Sequence, residues 1–197
     1  MPKKSVLLKR ILIGLAAVIS LVVGLVSMRP NTFHVERSTT IAGPVTSVFA
    51  QVNDFHKWVD WSPWENLDRS MKKTFEGAPI GRGSVYSWDG NDDVGAGRMT
   101  ILESRPDALV RINLEFFRPM EDVCTTEFAF ENVDSKTDVT WSMRGKHTFI
   151  SKAFCMFMDM DKMIGGDFER GLAQLKSVVE IPPAHAGATG EDSAKPQ

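Results

Sequence analysis

Cysteine, tyrosine and histidine are scarce in this chain, with two, one and four among 197 residues. Two cysteines make no disulfide framework, and Cys124 and Cys155 fall on differently facing surfaces, so no bridge between them is expected. His34, His56, His147 and His185 are scattered without ligand spacing, which argues against a metal centre. Nor does one charge dominate. With 23 basic and 25 acidic side chains the formal charge is -2, and no basic stripe exists to track phosphates, so a nucleic-acid partner is excluded. No G-x-S-x-G, H-E-x-x-H or C-x-x-C occurs, and no cofactor is implied. Gly81-Arg82-Gly83 and Gly95-Ala96-Gly97 do not open helices after strands and read as hairpin turns, while Asp89, Asp92 and Asp93 read as a solvated acidic turn rather than a calcium site.

What is present begins with an apolar N-terminus. Lys3, Lys4, Lys9 and Arg10 precede an uncharged run from Ile11 to Met28, closed by Arg29 and Pro30. Eighteen helical residues rise about 27 Å, close to the roughly 30 Å of a hydrocarbon core. Residues 11-28 therefore read as a single-pass transmembrane helix. The basic excess before it, against Arg29 and Arg37 after it, puts the N-terminus in the cytoplasm and the domain on the extracytoplasmic side. A cleaved signal peptide shares the basic start and apolar run, but Leu25-Val26-Ser27-Met28 is a poor cleavage site. The chain divides into an anchor at 1-30, one globular domain at 31-180, and a disordered tail at 181-197, where proline, alanine, glycine and charge recur without period.

The domain reads as α+β. A first strand, Phe33 to Ile41, carries Val35, Thr39 and Ile41 on one face, with Arg37 the exception there. Pro44 leads into a short helix that buries Val45, Val48, Phe49 and Val52. Five alternating segments follow, and their inward sets are Tyr86 and Trp88; Met99 and Ile101; Val110 to Phe116; Cys124 to Phe130; and Val139, Trp141 and Met143. Alternation of this kind makes an antiparallel sheet with one wetted face. A long final helix, Ser151 to Val179, then presents a stripe that includes Phe154, Phe157, Asp161, Ile164, Phe168, Leu172 and Leu175. Gly165 and Gly166 on it suit a bend or close approach to the sheet.

Strand, short helices, antiparallel meander and long C-terminal helix together resemble the helix-grip fold of START-like and birch-pollen-allergen-like proteins. Within it, the chain is most similar to the polyketide cyclase/dehydrase and lipid-transport group, often labelled SRPBCC. The residues carrying the likeness are Val48-Phe49, Asp54-Phe55, Trp58, Trp61-Ser62-Pro63-Trp64, Trp88-Asp89-Gly90-Asn91, Thr140-Trp141 and the run from Gly165 to Lys176. The resemblance implies a curved sheet wrapped around the long helix with an apolar cavity between them. It implies no single activity, since members bind lipids, cyclise polyketides or act as sensors.

The expected occupant is a lipid or other hydrophobic small molecule. Its lining is expected to draw on Trp58, Trp61, Tyr86, Trp88, Met99 and Phe116 from one side, and on Trp141, Met143, Phe157, Met160 and Asp161 from the other. The tryptophans at 58, 61 and 64 suit a rim packed against the sheet first, an aromatic wall for an apolar ligand second, and a membrane-interface contact third. Asp161 draws attention because a carboxylate on a buried stripe needs a partner. It could hold a ligand, act as a base, accept from the Trp141 indole or pair with an arginine. Together with His147 it is the only candidate acid/base pair, which a cyclase would require. An envelope protein-interaction module is the third reading.

Overall fold

The computed structural model describes residues 2-147, 152 and 160-181. Helix α1 spans Pro2–Ser27, and β1 follows at Thr32–Ile41. Helix α2, Val45–Val52, leads into a short 3-10 helix, Phe55–Asp60. The strands β2 (Lys72–Gly77), β3 (Ser84–Asp89), β4 (Ala96–Arg105), β5 (Leu109–Arg118), β6 (Asp122–Val133) and β7 (Lys136–Lys146) come next, and α3 covers Met160–Glu180. All seven strands form one antiparallel sheet in the order β1-β7-β6-β5-β4-β3-β2. Among the described residues the first strand thus returns beside the last, and β2 and β1 are the edges.

The alternation of apolar side chains explains which face packs. On β5, Val110, Ile112 and Leu114 are buried, and on β6, Cys124, Thr126, Phe128 and Phe130 are buried. The α2 side chains Val48, Phe49 and Val52 and α3 residues Phe168, Leu172 and Leu175 cover the same face. At spacings of four and three these α3 residues form one helix stripe. Trp141 stacks on Phe168 with ring centroids 4.1 Å apart and planes 9° from parallel. Gly171 permits that approach, since a Cβ there would lie 2.7 Å from Trp141 Cζ3. Every residue of this core cluster lies between Phe33 and Val179.

Three expectations are modified. Strand β2 is an addition: all six of its residues are exposed, so it carries no burial rhythm to read. Asp161 is not buried. It sits in the first turn of α3 with its side chain 57% exposed. Arg37, the misfit on the inner face of β1, reaches it at 2.9 Å and also donates to Glu169 at 2.7 Å. The arginine pairing is thus the alternative realised, and Gly165 makes room for it, since a Cβ there would meet the guanidinium at 2.0 Å. Third, among the described residues no helix is long and apolar enough to cross a membrane. The uncharged part of α1 with described side chains, Leu12 to Ser27, rises only about 24 Å. Phe154, Cys155, Phe157 and the tail from 182 lie outside the described residues.

The Arg37 pairing has a measurable consequence. Its hydrogen bonds hold the Asp161 carboxyl below the ordinary carboxylate range. A depressed folded-state value contributes stability that is present above the unfolded carboxylate pKa, about 3.9, and lost as pH falls through the folded value. Asp161→Asn is therefore expected to lower the urea midpoint at neutral pH and to match the parent protein near about pH 2. An equal gap at both pH values would contradict the pairing.

Candidate ligand site

The concave face has two halves. In the first, Trp58 and Trp61 are almost fully buried, their indoles donating to the backbone carbonyls of Val52 at 3.0 Å and Gln51 at 3.2 Å. Both rings meet Phe128 edge-on, Trp61 also meets Trp141, and the Trp141 indole donates to Thr126 Oγ1 at 2.8 Å. With every indole donor satisfied and every ring in van der Waals register, this half is solid core. Trp58, Trp61 and Trp141 act there as packing.

The second half lies toward the start of β1 and the end of β7. Cross-strand pairing sets a row of inward positions across the sheet: Trp88 opposite Gly97, Phe116 beside it, Leu114 opposite Cys124, Cys124 opposite Gly145, and Gly145 opposite Phe33. The two glycines are what let aromatic rings lie against the sheet. A Cβ at 97 would come within 2.5 Å of the Trp88 indole, and one at 145 within 2.4 Å of the Phe33 ring. Met99 and Met143 fill the next positions as adaptable, polarisable side chains. Trp88, Phe116 and Phe33 are only half-buried, whereas Leu114, Met99 and Met143 are covered. Helix α3 makes its main contacts with β1, α2 and the 3-10 helix, so its described part covers the solid half.

A polar group borders the row. Tyr86, stacked 6.1 Å from Trp88, donates its hydroxyl to Glu65 Oε1 at 3.1 Å, and Glu65 also receives Lys73 from β2. Burial, reinforced by the Glu65 carboxylate, raises the Tyr86 pKa far above its usual value, so this phenol is a hydrogen-bond donor and never a base near neutrality. The loop bearing Glu65 is tied down by Asp68, which accepts from Ser70 Oγ at 2.7 Å, Ser70 N at 2.9 Å and Asn91 N at 2.8 Å. Those bonds, the Ser70 hydroxyl foremost, hold the Asp68 pKa low. The Trp88 indole is fixed in turn by donating to Val94 O at 3.0 Å. Cys124 is no nucleophile, because burial, with Asp122 adding to it, pushes its pKa up to about 12.

Of the residues singled out from sequence, Tyr86, Trp88, Met99, Phe116 and Met143 come together here. Asp161 stands apart on the surface with Arg37. His147 follows β7, its ring 5.3 Å from that of Phe33 and its backbone N–H bonded to Asn31 O at 2.8 Å. Phe157 lies outside the described residues, as does the side chain of Met160. Glu65 and Lys73 escaped sequence reasoning, one being in a loop without period and the other on the fully exposed β2. Among the described residues no cluster of His, Cys, Asp and Glu could hold a metal.

The fold, one antiparallel sheet covered by a C-terminal helix, is shared with solved structures. Protein CV1439 from Chromobacterium violaceum superposes with a TM-score of 0.55 at 14% identity, covering 78% of this chain and all of that one. The Aha1 dimer structure from Colwellia psychrerythraea gives 0.55 at 18% identity over 76% of this chain and 97% of that chain. XoxI from Bacillus cereus gives 0.54 at 19% identity over 74% and 94%. At these identities the likeness is one of fold alone. No curated protein matches the chain. The family model for polyketide cyclase / dehydrase and lipid transport matches residues 32–180, most of the chain and the whole of the domain. The chain therefore belongs to the polyketide cyclase/dehydrase and lipid-transport family.

Proposed function

We propose that the protein is a membrane-anchored binder of a lipid or similar hydrophobic small molecule, held on the row from Trp88 and Phe116 to Phe33. The observation that carries this reading is the pair of half-buried rings seated at glycine positions, on a face whose other half is fully packed. Large aromatic surfaces left part-wet inside a concave sheet suit an apolar ligand. Tyr86, with Glu65 and Lys73, offers one hydrogen-bonding end for a headgroup or carbonyl.

Topology supports anchoring. Cross-strand pairing sets Thr32, Lys146, Val123 and Glu115 at about one level, so the β5-β6 turn projects some 10 Å further, on the side from which α1 arrives. Four residues join Ser27 to Thr32, a reach of at most about 17 Å. That turn carries exposed Phe117, Met120 and Val123, and α1 exposes Leu12, Ile13, Leu15, Val18 and Leu21 along its length. The Phe33 end of the row, one residue into β1 from Thr32, is thus the end nearest the anchor. In this reading the apolar run Ile11 to Met28 enters the bilayer with Lys9, Arg10 and Arg29 at its ends, the N-terminus cytoplasmic and the domain extracytoplasmic.

The test is titration of the full chain, in mild detergent, with a fluorescent fatty-acid analogue. Saturable binding at one molecule per chain is expected; signal rising only with detergent-phase partitioning would contradict the proposal. A cyclase-like reaction is the second reading, favoured by the buried Tyr86–Glu65 hydrogen-bonded pair bordering the row. It would require Tyr86→Phe to abolish a turnover while leaving affinity for the analogue in place.

A further inference from the structure

A separate pocket opens at the opposite end of the β2–β3 hairpin. It has a volume of about 250 Å³ and is lined by Phe55 and His56 of the 3-10 helix together with Phe75, Gly77, Ser84 and Val85. Ser84 and Trp88 are four residues apart on β3, about 13 Å, so this space is distinct from the Trp88–Phe116 row. Nor does it depend on any reading of that row.

Two features of the pocket point to a ligand. First, the Ser84 hydroxyl is buried and has no hydrogen-bond partner among the described residues, although the residue is only 3% exposed. Buried hydroxyls are almost always paired, and an orphan on a pocket wall is where a ligand's polar atom would complete the set. Second, one wall is a ready-made aromatic slab. His56 and Phe75 stack at 4.2 Å with planes 19° apart, and Phe75 lies 5.2 Å from Tyr86. The slab is held in place: Asp54 Oδ1 accepts from the His56 backbone N–H at 3.0 Å and lies 3.0 Å from its ring Nδ1.

From these features we infer that the pocket binds a small planar aromatic molecule of fused-ring size, carrying one hydrogen-bonding N–H or O–H that meets Ser84 Oγ. Size sets the class. A cavity of about 150 Å³ accepts benzene, so about 250 Å³ accepts a bicyclic ring and not a lipid chain. The stacked His56–Phe75 wall selects a flat ring, and the serine hydroxyl, both donor and acceptor, selects a polar edge. Fatty acyl chains belong to the other site; the two ligands differ in both shape and polarity.

Indole and its carbon isostere indene make the test, measured by equilibrium dialysis of the full chain in mild detergent against detergent alone. Indole is expected to bind saturably and Ser84→Ala to weaken it at least fivefold, while indene binding is unchanged by that substitution and Trp88→Ala leaves indole binding intact. Ser84→Ala is expected to fold, since it removes an unpaired buried hydroxyl. Should it not fold, Phe75→Ala, at an exposed edge position, is expected to weaken indole and indene alike. Absence of saturable indole binding, equal loss of both probes on Ser84→Ala, no loss of either on Phe75→Ala, or loss of indole on Trp88→Ala would each overturn the inference. The last of these would assign indole to the Trp88 row, and failure of the fatty-acid analogue to bind leaves this pocket's outcome untouched.

Discussion

Replacing Phe168 with alanine is expected to lower the unfolding free energy by about 3–5 kcal/mol, the range for deleting a buried aromatic ring from a packed core. The ring is fully buried and lies flat on Trp141, which is itself packed against Phe128 at 4.6 Å. Nothing nearby can collapse into the space easily, because Gly171 has already drawn the helix backbone against Trp141 and Pro63. Stability of a domain this size is typically about 5–15 kcal/mol, so the variant would sit close to the unfolding threshold. Urea denaturation followed by tryptophan fluorescence checks it. A loss below about 1 kcal/mol would mean that α3 is not the element closing the core.

The second large effect belongs to the ligand row. Trp88→Ala combined with Phe116→Ala is expected to weaken the fatty-acid analogue by roughly 30- to 150-fold, about 2–3 kcal/mol, with little change in the urea midpoint. The reasoning is area. Both rings are half-buried, so the fold gains less from them than from the rings of the solid half, whereas a bound chain would cover what remains. Trp58→Ala should behave oppositely, with a large cost to stability, because that indole is buried and bonded to Val52 O. Affinity unchanged by the double substitution would move the ligand elsewhere.

These two expectations divide the tryptophans in a way that sequence could not. Alternation on β3 to β7 identified the inward residues, since period-two burial leaves a clear trace wherever one face is packed. It did not say which inward residues are fully covered and which stay half-buried, because that depends on where α2, the 3-10 helix and α3 land. Trp61 and Trp88 look alike as letters; one ends inside a four-ring cluster and the other over Gly97. Strand β2 was invisible because an edge strand exposed at every position has no rhythm. Asp161 followed the helical stripe faithfully, but it sits in the first turn of α3 over the edge strand β1 with its side chain exposed, and the rule of 100° per residue does not register exposure. The better clue was the paired anomaly, a charge on the inner face of β1 and another on the apolar stripe of α3, which the Arg37–Asp161 contact resolves. Tyr86 was legible by parity, yet its partners Glu65 and Lys73 were not, being brought to it by a loop and an edge.

The ligand row is the account's central claim, and mass spectrometry of small molecules that co-purify with the full chain tests it most directly. The protein would be extracted in mild detergent, washed extensively and compared with the Trp88→Ala/Phe116→Ala variant prepared in parallel. One hydrophobic species in near-stoichiometric amount, depleted from the variant, is the predicted result. A chain that carries the same lipids as the variant, in the same amounts, would contradict the account and leave the row as an unoccupied part of the fold.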